Sequence, residues 1–298
     1  MDEFLTSTVR GLAQGSLYVL IGLSFVIIYK GTQVVNFAQP ALLLFGSYWV
    51  SYFAVSLGLP FFLAQVAAVI ATVFVAVVVE RAAMRPMVGE PPFSAAVVTV
   101  GVFIALQVIV GDLIGIELRQ VGDPWGLTRF TLGGVNIFHT DVAKLGTAIL
   151  VVVALICMFR FTRSGLAMRA TSFDQEVALA QGIPVGRMFA ISWALSGGLA
   201  AIAGTFVGTG GAGIDASTGL VALKALPAII LGGLDSIPGA IVGGVMIGLA
   251  EAYTKTYQPG NFAFLGANFD QVVPYIVMLL VLLVRPYGIF GTKEVERV

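Results

Sequence analysis

Residues 61–79 read FFLAQVAAVIATVFVAVVV, a stretch without charge in which only Gln65 and Thr72 are polar. A helix of about 20 such residues matches the ~30 Å hydrocarbon core of a bilayer. Lipid imposes the helix, because backbone groups there find hydrogen-bond partners only within the segment. The pattern recurs at about 11–29, 38–57, 94–112, 142–160 and 188–208. Two shorter pieces follow near 219–233 and 238–254, and a last run near 271–285. Composition supports the same conclusion: 58% of residues are hydrophobic and 11% charged, whereas a soluble domain carries about 25% charge. So few charges cannot cover a surface that faces water. The expected class is an all-α polytopic membrane protein with about eight to nine transmembrane or re-entrant helices.

The links between the runs set an orientation. Lys30, Arg81, Arg85, Arg160, Arg163, Arg169, Arg187, Arg285, Lys293 and Arg297 fall on one side, and the smaller set Arg10, Arg119, Arg129, Lys144 and Lys255 on the other. Cationic loops stay in the cytoplasm, so the N-terminus is expected outside and the C-terminus inside. That parity is the same whether residues 219–254 span twice or form a re-entrant hairpin. Asp2 and Glu3 argue against a cleaved signal peptide, so the first run is expected to be retained. The long outer loop, 113–141, holds Gly-Asp-Pro and Gly-Gly turns, and its VNIF piece is a candidate strand.

One cytoplasmic link is unlike the others. SGLAMRATSFDQEVALAQGIP, beginning at Ser164, is polar yet free of proline until Pro184, with Gly182 placed to cap a helix C-terminus. Leu166, Ala170, Val177, Ala178 and Ala180 offer an apolar or small face, with Asp174 and Glu176 turned elsewhere. Such an element is either a connector lying on the membrane surface or a dock for a cytoplasmic partner.

The wording of this insert, Gly165, Arg169, Ala170, Asp174, Glu176, Ala178, Gly182 and Ile183, resembles the coupling loop of ABC importer permeases. The Glu176-to-Gly182 spacing is kept, and Val177 stands in place of the first alanine of the usual pattern. VVNFAQPALLLFGSY (34–48), RPMVGEPPFSAAVVTVGVFIALQ (85–107), LKALPAIILGGLDSIPGAIVGG (223–244) and RPYGIFG (285–291) resemble, in order, segments of the LivH-type branched-chain amino acid permeases. Gln39 and Pro40 depart from the usual His and Gly, and Pro227 and Asp235 are unusual in their segment. The resemblance implies one permease domain over 1–298, with the ABC importer permease fold and a coupling loop at 161–187. It implies a bacterial plasma membrane location and import of branched-chain amino acids or similar small solutes. The implied partners are two cytoplasmic ATPase subunits, a second homologous permease, an extracellular solute-binding protein and membrane lipid. Arg169, Asp174, Glu176, Ala178, Gly182 and Ile183 would then meet the ATPase.

The residues themselves suggest a path. Asn36 to Pro40 and Gly232 to Pro238 interrupt apolar runs, and paired breaks of this kind point to a substrate route, since irregular backbone in membranes lines cavities. Two tight cytoplasmic turns would read the same way. Asn36, Gln39 and Ser236 supply neutral hydrogen bonds suited to a passing zwitterion. Lys224 and Glu251 are expected to snorkel to an interface, and Asp235 to sit in a polar turn. The Gly239/Gly243 and Gly244/Gly248 spacings fit a packing face. No phosphate-binding Gly-Lys-Ser/Thr loop, catalytic constellation or metal-ligand spacing around His139 or Cys157 occurs. The chain is therefore expected to be no enzyme, to carry no metal or cofactor and to leave ATP hydrolysis to its partners. Zero net charge gives no sign of nucleic-acid binding. An ion-coupled secondary transporter, the alternative, would call for carboxylates within the spans.

Overall fold

The computed structural model describes residues 2–173 and 175–292; Asp174, Lys293 and Arg297 lie outside the described residues. Helix α1, Asp2–Thr32, begins well before its apolar run. Asp2 and Glu3 sit in its first turn, where the helix dipole favours acids. Thr6, Ser7 and Thr8 fold their hydroxyls back onto the carbonyls of Asp2, Glu3 and Phe4 at 2.7–2.8 Å, so these polar side chains continue the helix.

Helix α2, Gln39–Ser51, carries Pro40 in its first turn, where no N–H is needed, and runs on through a π turn, Tyr52–Ser56. Helix α3, Phe61–Val79, starts after Pro60, and α4, Pro92–Ile114, ends at Gly115 with φ 78°. A hairpin of β1, Arg129–Leu132, and β2, Val135–Phe138, precedes α5, His139–Phe161. Next come α6, Arg163–Phe173, α7, Gln175–Ala180, and α8, Val185–Gly208. The chain closes with α9, Val221–Lys224, α10, Leu226–Gly232, α11, Ile237–Asn261, and α12, Val273–Val284.

Among the described residues, 6 helices are long and apolar enough to cross a membrane. The α2 segment with its π turn, Thr218–Gly232 and Phe269–Val284 complete the expected set. Helix α10 is only about 10 Å long at 1.5 Å per residue, too short to cross a bilayer. Burial divides the long helices: the apolar window of α1 is 89% buried, whereas those of α3, α4 and α5 are 22% buried. The latter three present their apolar sides outward, as lipid-facing helices do.

The described residues form two compact units. One takes in the chain up to Val26, Leu127–Ala148 and the chain from Leu223; the other is Ile27–Gly126 with Ile149–Ala222. In the first, α1 and α11 touch at their glycines. A Cβ on Gly248 would run into the backbone of Gly15, and one on Gly15 would stand 2.9 Å from Val245 Cα. Gly239 and Gly243 do the same against α10. Two polar groups of this unit are paired: the Tyr18 hydroxyl donates to Glu251 at 2.5 Å, and Lys224 Nζ donates to Gln271 Oε1 at 3.4 Å.

In the second unit, α2 is the central helix, with every side chain but Trp49 buried. Gly46 and Gly204 let α2 and α8 meet backbone to backbone. At one end of α2, Tyr48, Trp49, Tyr52 and Phe53 form a run of ring contacts, with the Arg119 guanidinium 5.3 Å from the Tyr48 centroid. Such rings suit a membrane–water boundary.

Replacing Gly248 by Leu should cost about 1–3 kcal/mol, the usual range for overpacking, seen as a lower melting temperature in detergent. Gly146→Leu, where an added Cβ meets nothing within 4 Å, should leave the melt unchanged. Equal melts for the two variants would refute the close α1–α11 contact.

Candidate functional site

The segment that follows α1 is built around an irregular turn. Gln33 takes a left-handed conformation, φ 58°, and its N–H bonds the Tyr29 carbonyl at 2.7 Å. This is a helix C-terminal cap usually given to glycine. Three residues on, Asn36 Oδ1 accepts from the Ala38 N–H at 2.9 Å and Asn36 Nδ2 donates to Gln39 Oε1 at 3.3 Å. From α8, Ser196 Oγ donates to the same Gln39 oxygen at 2.8 Å. From α4, Thr99 Oγ1 accepts the Phe37 N–H at 3.0 Å. Asn36, Gln39, Thr99 and Ser196 are all fully buried. Two of the expected path residues thus come together with Ser196 in one neutral polar cluster, bonded within the protein.

Ser236 belongs to the other unit. There it is the N-cap of α11, accepting the Gly239 N–H at 3.0 Å. The break at 232–238 is covered by the chain's own RPYGIFG segment: Ile289 N–H bonds the Leu231 carbonyl at 2.8 Å and Phe290 N–H that of Gly232 at 3.0 Å. Asp235 accepts from the Thr292 hydroxyl. The turn expected around Asp235 is therefore a clasp on residues nearer the C-terminus.

The insert between α5 and α8 is helical on both sides of residue 174 and capped at both ends. Thr162 Oγ1 accepts the Gly165 N–H at 3.0 Å, an N-cap for α6. Gly165 lies so close to the end of α5 that a Cβ there would stand 2.5 Å from Phe159 Cα. After α7, Gly182 takes φ 78°. Its N–H bonds the Leu179 carbonyl at 2.9 Å while the Ile183 N–H bonds that of Ala178 at 3.0 Å. That double pattern is the Schellman motif, and it fixes α7 against the start of α8. Ala178 packs with Val185 and Phe189, and Ile183 lies against them.

Of the residues assigned to partner contact, Arg169, Glu176 and Gly182 are exposed, Ile183 is half-buried and Ala178 faces inward at 3% exposure. Leu166, Phe173, Val177 and Leu179 are exposed apolar side chains on the same insert. The expected division of α6–α7 into an apolar face and an acidic face does not describe this surface, which mixes both.

Sequence reading alone missed the contacts that hold the insert in place. Gln33 Nε2 donates to the Ser172 carbonyl at 2.8 Å, and Gln175 Nε2 donates to the Thr32 carbonyl at 3.3 Å. The two glutamines form a reciprocal latch between the insert and the end of α1. Arg85 donates to the Gly186 carbonyl at 2.8 Å and pairs with the fully buried Glu80 at 3.1 Å, tying down the first turn of α8. A cavity of about 370 Å3 opens beside the latch, with Gln33, Met84, Met87, Glu90 and Glu176 in its wall.

The sequence model of the family described as branched-chain amino acid transport system / permease component matches residues 7–282. The chain belongs to this family. LivH of Escherichia coli (strain K12), a high-affinity branched-chain amino acid transport system permease protein, is 31% identical over 311 residues. That alignment covers 99% of this chain and 98% of LivH. BraD of Pseudomonas aeruginosa, of the same description, is 31% identical over 312 residues, covering 99% and 98%. The probable LivH of Methanocaldococcus jannaschii is 28% identical over 293 residues, covering 95% and 91%. The solved PsaBC from Streptococcus pneumoniae in complex with Fab covers 97% of this chain and 92% of its own. Its identity of 16% and TM-score of 0.47 make it too distant to argue from. The permease is a multi-pass membrane protein of a transport family, and its motifs 34–48 and 85–107 meet at the Phe37–Thr99 bond, as 223–244 and 285–291 meet at the clasp.

Asn36→Leu removes the acceptor of the Ala38 N–H and a donor to Gln39 together, at about 1–3 kcal/mol for a buried group left unsatisfied. Ser196→Ala removes one donor to an oxygen that keeps another. Asn36→Leu should therefore lower the detergent melting temperature more than Ser196→Ala; the reverse order would mean the Asn36 bonds are not made.

Proposed function

We propose that this chain is a membrane-embedded subunit of an ATP-driven importer of branched-chain amino acids or like small solutes. The reading rests on one arrangement: a capped helical insert with exposed apolar side chains, latched to the residues that lead into the buried Asn36–Gln39 turn. A partner that grips Leu166, Phe173, Val177 and Leu179 displaces α6 and α7 as a stiff piece. Gln33 and Gln175 carry that displacement to residues 32–33, and the irregular turn begins three residues further on. Where packing has two discrete arrangements, a small local shift of this sort is converted into a change of state.

The partners in this reading are two cytoplasmic ATPases, a second homologous permease and a solute-binding protein on the outer face. Arg169, Glu176, Gly182 and Ile183 lie in or beside the docking surface, and Asp174, outside the described residues, is assigned to it from the sequence alone. Ala178 supports it from beneath. Asn36, Gln39 and Ser236 belong to the translocation path. The N-terminus is outside and the C-terminus cytoplasmic, because the larger set of Lys and Arg lies on the side of the insert. Neutral amides and hydroxyls suit a solute that must leave as readily as it enters.

Two variants test the parts separately in the assembled complex. At Gly182 an added Cβ meets nothing within 4 Å but is strained at φ 78°, so Gly182→Trp loosens the α7 cap as well as projecting a ring outward, and should abolish capture of the ATPase subunits while the spans keep their melt. Gln33→Gly suits the left-handed cap better than glutamine, and combined with Gln175→Ala it removes both arms of the latch. The double variant should leave assembly and ATP hydrolysis in place and cut uptake about tenfold, the effect of ~1.4 kcal/mol. Full uptake with the double variant would show that the latch transmits nothing. Uptake that follows an ion gradient and ignores ATPase inactivation would replace the importer by an ion-coupled carrier.

A further inference from the structure

We propose that the first turns of α1 and α5 and the last turns of α11 form a binding site for a zwitterion, a ligand with one ammonium and one acidic anion. These elements enclose a cavity of about 570 Å3, within the usual range for small-molecule sites. Its wall carries Glu3, Asp141 and Glu251 against Arg10, Lys144 and Lys255. The two signs balance. Among the described residues, none of the six makes an ion pair within 4.0 Å.

That spacing is the unusual feature. Glu3, Arg10 and Lys255 are exposed at the rim, whereas Asp141, Lys144 and Glu251 are half-buried, where an unpaired charge is costly. Neighbouring groups engage several of these side chains. Glu251 is fixed by the Tyr18 hydroxyl at 2.5 Å. The Arg10 guanidinium lies 5.6 Å from the Phe138 ring centroid. Ser7 and Thr256, which also line the cavity, are bonded to each other at 2.9 Å and bridge α1 to α11. Asp141 Oδ2 is buried without a hydrogen-bond partner.

A lone anion or cation would meet like charge on half of the wall. A ligand carrying both meets a partner at each end, its ammonium facing Asp141 and Glu251 and its anion facing Lys144, Arg10 and Lys255. Free α-amino acids have this chemistry, and so does the headgroup of phosphatidylethanolamine. The site shares no residue with the Asn36–Gln39 cluster. Its existence does not depend on the importer reading; its use does, for with the N-terminus outside it becomes a receiving site for solute arriving at that face.

The test uses the full chain in its assembled complex, free of binding protein, in nanodiscs made with phosphatidylglycerol alone or with added phosphatidylethanolamine. Equilibrium dialysis with radiolabelled L-leucine should show saturable binding. Isopentylamine and isocaproate, which each lack one charge, should compete at least tenfold less well, since a hydrogen bond to a charged group is worth about tenfold or more. Lys144→Met and Asp141→Asn should each weaken binding about tenfold, and Arg129→Gln, in the hairpin, should not. Lys255→Met, at the exposed rim, serves if Lys144→Met does not fold. Binding of phosphatidylethanolamine in native mass spectra, lost in Lys144→Met and competing with leucine, would assign the same site to the lipid headgroup. Failure of both leucine and phosphatidylethanolamine to bind, single-charge analogues equal to leucine, or indifference to the variants would overturn the site. ATP-driven uptake measured in parallel keeps the two readings apart: uptake without binding removes this site and leaves the importer standing.

Discussion

Lipid gives an apolar helix no reason to leave it for another helix, so association in the membrane depends on how closely backbones can approach. This structure makes its tightest contacts where side chains vanish. Gly15 and Gly248 bring α1 against α11, and Gly46 and Gly204 bring α2 against α8. At those distances dispersion and backbone dipoles act over many atoms at once. Much else follows. Helix α2 can be buried on nearly all sides because α8 lies almost in contact with its backbone, and a helix so enclosed can carry Gln39 and Ser47 without exposing either to lipid.

Polar groups inside these units are, with few exceptions, neutral or paired. Asn36, Gln39 and Ser196 answer one another, Glu80 answers Arg85, and Glu251 answers Tyr18. An unpaired group in a low-dielectric interior costs more than a made bond returns. The pairing explains how a chain with so few charges keeps several of them within or beside spans. The cavity among α1, α5 and α11 departs from this rule: Asp141 Oδ2 is buried there without a hydrogen-bond partner.

The positions of the spans are legible in the sequence because Pro60, Pro92, Pro184 and Gly115 mark their ends in the chemistry of the backbone itself. The early start of α1 is not legible, since Thr6, Ser7 and Thr8 look like a polar leader until their hydroxyls are seen bonded to the preceding turn. Gly182 reads correctly as a helix end from its place before Pro184. Gln33 and Gln175 do not read as partners, because their bonds join segments separated by some 140 residues and nothing local in either segment announces the other. Ser196 is hidden for the same reason: a hydroxyl before a Gly-Gly pair looks like helix packing. The inward turn of Ala178 is also invisible beforehand, since apolar residues occur all around α6 and α7.

The conformation of Gln33 carries the mechanical argument furthest. A non-glycine residue in the left-handed region costs about 1–3 kcal/mol, and the cap at the end of α1 would be served better by glycine. Glycine, however, has no side chain to reach the Ser172 carbonyl. The strained backbone and the long-range bond are therefore one device: the cap orients the Gln33 side chain toward the Ser172 carbonyl in the last turn of α6. Because Gln175 returns a bond to Thr32, the insert cannot slide along α1 without breaking both. In the proposed importer, a push on the insert would reach the turn before Asn36 through these two hydrogen-bonded arms.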